Sequence, residues 1–252
     1  MKLSRAIALA GFAVLAFQLT APVEAKQPQS SPTDIEVLAP DEFEDSIVMD
    51  GQRVSLETGI PLAIYDPQFA VSPGTPEQMV QEYLRAQAEV FQLRSPTLDD
   101  LVHHHTRTGD AGHTVRYTQM HEGVPVYNAD LTVTVNHQNT VIFVMNGYRS
   151  AIELDDVTAD LASAEARDIA VDHIHPTGDL VHESVELMVY HNQGESRLVY
   201  RVALAASVDP IGDWEILVDA DTGEIVKAVD RGHYVDGTGS LFDADPLSSA
   251  QA

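Results

Sequence analysis

Three observations predict an α+β fold of two similar units, each an antiparallel sheet of about four strands backed by one helix. First, apolar residues recur at helical spacing over 76–91 and the period then changes to two from Leu98 to Tyr148. Second, the same order returns, with an alanine-bearing helical stretch from Ser163 followed by strand-like runs that end near 229. Helix, four strands, helix, four strands is a repeat. Third, 44% of the 252 residues are hydrophobic and 6% aromatic, which supports a packed core despite 39 acidic side chains against 14 basic ones. There is no cysteine, so no disulfide can reinforce that core.

Residues 1–25 read as an export signal. Lys2 and Arg5 form a charged start, Ala6 to Leu19 is an apolar stretch, and Val23-Glu24-Ala25 offers small residues before a cut. The apolar stretch is shorter than the ~20 residues that span a bilayer, so a membrane anchor is the poorer reading. The expected location is secreted or periplasmic. Residues 26–72 read as a polar, proline-rich leader followed by an irregular segment, because Gly51, Gly59, Pro61 and Pro67 interrupt its short apolar runs.

A helix is expected over 76–91, where Thr75 is the N-cap, Pro76 takes the first helical position and Gln78 completes a capping box. Strands follow at Thr114 to His121, Leu131 to His137 and Val141 to Met145, separated by turn-like Glu122-Gly123-Val124-Pro125 and His137-Gln138-Asn139, an antiparallel meander. Ser163 is placed to cap a second helix that Pro176-Thr177-Gly178 stops. Strands are then expected at about 183–190, 197–208, 213–219 and 224–229, the last two joined by a turn in which Gly223 supplies a positive φ. Arg116 and Gln119, three apart in a strand, fall on opposite faces and cannot form one side-chain site.

The run Val115 to Tyr127, with Arg116, Tyr117 and Gln119 and then Gly123, Val124, Pro125 and Val126, resembles the core of the fungalysin/thermolysin propeptide (FTP) domain. Residues 161–229 resemble the PepSY domain that usually follows it, through an alanine-rich helix, the strand holding Tyr200, and the segment from Trp214 through Asp219 to Gly223. The tail from Gly237 to Leu247 resembles the segment that joins such pro-regions to a catalytic domain. The implied layout is an FTP-like domain over 73–150, a PepSY-like domain over 151–231 and a connector over 232–252 toward a catalytic domain outside this chain. The eleven motif positions named here read as fold-maintaining, not as chemistry.

The charge of −25 repels phosphate backbones and anionic lipid heads, which argues against nucleic-acid binding and, once the signal is removed, against a membrane surface. Zinc hydrolysis needs an HExxH on a helix. His121-Glu122-Gly123-Val124-Pro125 has proline where the second ligand belongs, and His182-Glu183-Ser184-Val185-Glu186 has glutamate there and reads as strand. His103 and His105 would share a strand face but have no third ligand in view, and Asp219-Ala220-Asp221-Thr222-Gly223 lacks the third ligand position of a calcium loop and its bidentate glutamate at position twelve, where Asp230 stands. No catalytic residue, metal or cofactor is assigned, and the chain is not expected to be an enzyme. The resemblance implies a prodomain, acting as chaperone and temporary inhibitor of a thermolysin- or fungalysin-like zinc protease. A stand-alone PepSY-type inhibitor or binding module, and a truncated remnant of a protease gene, are the other readings. By charge alone, the partner's docking face should be less acidic than this chain.

Overall fold

A computed structural model of the chain describes residues 45–206 and 211–232. The expected signal at 1–25, the polar leader that follows it, and the connector beyond 232 lie outside the described residues.

The elements, in order, are β1 (Ser46–Met49), β2 (Gln52–Ser55), β3 (Pro61–Ala70), α1 (Pro76–Ala86), β4 (Leu101–Gly109), β5 (Gly112–His121), β6 (Val124–Val135), β7 (Thr140–Asn146), α2 (Ser163–Ile174), β8 (Leu180–Asn192), β9 (Glu195–Ala206), β10 (Gly212–Asp219) and β11 (Ile225–Asp230). Strands β4 to β7 form an antiparallel meander. On its far side β3 pairs with β7, β2 with β3 and β1 with β2. Strands β8 to β11 form a second antiparallel run. The two are joined where Val126 of β6 lies parallel to Val189 of β8.

The expectation of two similar four-stranded units is therefore wrong. The strands form one connected sheet of eleven, with 52% of the structure strand and 12% helix. The miss lies in residues 45–72, expected to be irregular and found to hold β1, β2 and β3. The residues that suggested breaks sit where a sheet tolerates them. Asp50 and Gly51, both at positive φ, make the two-residue β1–β2 turn. Pro67 falls inside a bulge of β3, between Tyr65 and Phe69, where no ladder hydrogen bond is lost to the missing N–H.

Both helices form for sequence-local reasons, to different degrees. Thr75 accepts from the Gln78 N–H and the Gln78 side chain accepts from the Thr75 N–H, a full capping box. The helix ends at Ala86 instead of 91, and Phe91, fully buried, packs from the turn that follows. In α2 the N-cap is Ala162, not Ser163; the Glu165 carboxylate reaches back to the Ala162 N–H at 3.0 Å.

Helix α1 lays Val80, Tyr83 and Leu84 on Val115, Leu131, Val133 and Val144. Helix α2 lays Ala166, Ala170 and Ile174 on Val202, Leu204, Trp214 and Ile216. Each large apolar side chain fully buried in this way contributes about 1.5–3 kcal/mol. Strand β6 serves both cores, with Val126 and Ala129 in the second and Leu131, Val133 and Val135 in the first.

Candidate functional site

The stretch from Arg116 to Tyr127 occupies β5, a tight turn and the first residues of β6, where the two cores meet. Glu122 (φ 48°) and Gly123 (φ 86°) are the two central residues of the hairpin, the pair of positive φ values that suits the twist of the flanking strands. Val124 and Val126 then pack into the second core, and Pro125 pairs opposite Met120. A register shift between Thr118 and Met120, with Asn128 at φ 54°, bends β6 so that its later residues turn into the first core.

Tyr117 is buried against α1, while Arg116 points to the other face and ion-pairs with Asp130. Gln119, 3% exposed, donates from Nε2 to the Arg149 carbonyl and accepts the Arg149 N–H at Oε1, both at 2.8 Å. One buried side chain thereby satisfies both backbone polar groups of Arg149, a half-buried loop residue. In the second half the Tyr200 hydroxyl donates to the Leu161 carbonyl at 2.9 Å, and Trp214 lies at the centre of the core. Asp219 Oδ1 accepts from the N–H groups of Asp221 and Thr222 and from the Thr222 hydroxyl, and Gly223 follows at φ 75°. Oδ1 thereby holds the turn, while Oδ2 lies 3.6 Å from the Arg197 guanidinium.

The histidines are placed by packing, not by metal geometry. His121 donates from Nε2 to the Leu154 carbonyl at 2.9 Å and accepts from Arg94 at Nδ1, while Glu122 is exposed in the turn. His182 and Glu186 lie exposed on strand β8. The expectation that His103 and His105 share a face fails, because a bulge separates them. His103 faces Tyr117 and Glu77 of α1, whereas His105 stands opposite Arg116 with its Nδ1 2.6 Å from that of His104. Among the described residues no group of three His, Asp or Glu side chains is arranged to hold a metal ion.

A buried polar cluster at the junction was missed by sequence reasoning. Glu215, 6% exposed, accepts at Oε1 from the Tyr127 hydroxyl (2.5 Å) and Arg231 (2.7 Å), and at Oε2 from Arg201 (2.6 Å). Burial first, and then the Glu215 carboxylate, push the Tyr127 phenol well above its ordinary value. Lys227, also nearly buried, lies with Nζ 5.3 Å from the Tyr127 ring centre, and burial lowers its pKa. A run of alternating residues carries no sign that Tyr127 on β6 meets Glu215, 88 residues on.

Beside this cluster lies a cleft of about 900 Å³, lined by Asn128, Tyr148, Arg149, His191 and Arg231 together with residues of the β2–β3 connection and the turn after β8. Burial, and then the Arg149 charge, hold His191 below the usual imidazole value. The polar lining groups are amides, hydroxyls, the Arg149 and Arg231 guanidiniums, the His191 imidazole and the carboxylates of Asp45 and Glu57.

The family model described as "Fungalysin/Thermolysin Propeptide Motif" matches residues 99–148, the β4–β7 meander. Similar curated proteins include the thermostable neutral protease NprT of Geobacillus stearothermophilus, 28% identical over 60% of this chain and 29% of that protein. Bacillolysin of Bacillus amyloliquefaciens is 25% identical over 67% of this chain and 34% of its own. The hemagglutinin/proteinase of Vibrio cholerae is 29% identical over 50% and 22%. The chain thus spans about a third of the length of the relatives it matches. A solved structure, the Bacillus megaterium YpeB C-terminal domain, aligns with 72% of this chain and 76% of its own at 13% identity and a TM-score of 0.37. The motif matched over residues 99–148 is described as a propeptide motif.

Proposed function

We propose that this chain is the pro-region of a secreted thermolysin-type zinc metalloprotease, acting as intramolecular chaperone and temporary inhibitor of a catalytic domain that the described chain does not contain. The observation that carries this reading is the propeptide motif over 99–148, seated on a meander whose strand β6 is shared by both cores. Export through residues 1–25 and a PepSY identity for residues 151–231 belong to the same reading and are supported by the sequence features that suggest them.

The mechanism follows from mass action. A prodomain that binds the native protease, or its folding transition state, more tightly than the unfolded chain lowers the folding barrier and stabilises the product. While docked, it denies substrate the cleft. Residues beyond 232, glycine-bearing at Gly237 and Gly239, supply the connector whose cutting releases the enzyme.

The test is a refolding experiment. Denatured catalytic domain of the cognate protease, or of bacillolysin, is diluted with and without this chain. Recovery of activity should rise with stoichiometric chain, and the purified chain should inhibit the already folded enzyme. Equal recovery with and without the chain, and no inhibition at micromolar concentration, would remove the reading.

A further inference from the structure

The seven-stranded part of the sheet is covered on one face by α1 and, among the described residues, carries no helix on the other. Cross-strand neighbours share a face, so the register states what the bare face presents. One row runs Tyr65, Phe143, Thr134, Thr114, Arg107. The next runs Arg53, Ala63, Met145, Thr132, Arg116, His105.

The composition of these rows departs from the chain as a whole. Three arginines project from them, of which Arg116 is ion-paired with Asp130, in a protein of 39 acidic and 14 basic side chains. At their centre, Tyr65 (45% exposed) and Met145 (54%) flank Phe143, with the two rings 5.9 Å apart. Threonines separate this apolar centre from Arg107 and Arg116. An apolar patch rimmed by charge is the usual anatomy of a protein-binding surface. His105 reports the local field: after desolvation, the nearby His104, Arg116 and Arg107 charges lower its pKa.

Resting on the proposed pro-region role, we infer that this helix-free face docks the protease catalytic domain, with Tyr65, Phe143 and Met145 against an apolar surface and Arg53, Arg107 and Arg116 taking carboxylates at its rim. The whole-chain charge favours a less acidic partner at long range, but screening confines that influence to about 10 Å at 0.1 M salt. At contact, the local sign decides, and here it is positive.

The experiment measures inhibition of bacillolysin of Bacillus amyloliquefaciens, or of the cognate enzyme, by four chains: wild type, Met145→Asp, Arg107→Glu, and Val181→Asp. Val181, 66% exposed on β8, is the control. Each substituted residue is solvent-exposed, and far-ultraviolet circular dichroism with a urea titration checks that folding is intact. Met145→Asp should raise the inhibition constant at least about tenfold, as loss of a central apolar anchor does. Arg107→Glu should slow association several-fold with a smaller change in dissociation. Val181→Asp should behave as wild type. If wild type inhibits and all three variants match it, the face is wrong while the pro-region role stands. If Val181→Asp alone weakens inhibition, docking is through the other half. If wild type inhibits neither enzyme, the role fails and this inference with it.

Discussion

The two helices place their bulk differently. In α1 the helix itself supplies it: Met79, Val80, Tyr83 and Leu84 are buried, and the Tyr83 ring meets Phe69 and Phe91 edge-on with centres 5.1 and 6.2 Å apart. In α2 the buried residues are Ala166, Ala170 and Ile174, and the bulk comes from Trp214, Leu204 and Ile216 on the sheet. A helix that carries its own large apolar stripe and a complete capping box is specified locally. One that offers two alanines and a one-sided cap depends on the sheet being there first. The comparison suggests that the second core is assembled from its strands and that α2 closes over them.

The largest effect should come from breaking the second core at its centre. Trp214→Ala should cost about 3–5 kcal/mol in urea unfolding, against about 2–5 for Leu84→Ala in the first. Because β6 contributes to both cores, each variant should still unfold in one transition, seen alike by tyrosine fluorescence and circular dichroism. Two separated transitions for Trp214→Ala would show the halves to be independent.

Next comes the junction. Glu215→Gln keeps the shape but removes the charge that faces Arg201 and Arg231. Those arginines are about one-third exposed and can rehydrate, so the loss should be roughly 1–3 kcal/mol instead of the full penalty of a stranded buried pair. Tyr127→Phe should cost less, about 1 kcal/mol, since it removes one hydroxyl, donor to Glu215 and acceptor from Arg231, and leaves the Arg231–Glu215 bond in place.

Alkaline pH should separate the regions further. Burial raises the phenols of Tyr83, to about 12, and of Tyr117 and Tyr148, all in the first core; Tyr127 at the junction shifts the same way. A folded pKa above the unfolded one means the stabilisation is fully present below the unfolded phenol value of about 10 and is lost as pH rises through the folded value. Urea midpoints measured from pH 8 to 11.5 should therefore hold steady and then fall above about 10. Tyr83→Phe should make that fall shallower, although the variant starts from similar stability. An unchanged slope would mean that Tyr83 titrates freely.

The smallest effects test the caps. Thr75→Ala should lose about 1 kcal/mol, while Glu165→Ala, which frees only the Ala162 N–H, should lose less than half of that. Equal losses would contradict the view that α1 is the more locally specified helix.

The legible parts of the molecule are those governed by neighbours in sequence. Thr75-Pro76-Glu77-Gln78 announces α1 because capping is decided within four residues, and the period-two runs after Leu98 announce the meander because alternation is the direct image of a sheet with one buried face. Residues 45–72 read as irregular in sequence because Gly and Pro mark a break without saying whether a turn, a bulge or a loop fills it. Counting in twos puts His103 and His105 on one face, and a single bulge between them inserts one residue and reverses the count.

What the sequence by itself determined about this protein is the set of local elements after Thr75, the acidic surface, the absence of any HExxH on a helix, and a propeptide-like motif that the family comparison also finds. What only the tertiary structure decided is which edges meet. Strand β3 joins β7, Val126 of β6 lies beside Val189 of β8, Tyr127 reaches Glu215, and the arginines of three separate strands gather on one bare face. Pattern and capping act over a few residues, so they can be read along the chain. Pairing between strands dozens of residues apart is settled only when the whole sheet closes, because each edge hydrogen-bonds to whichever partner also buries its apolar face.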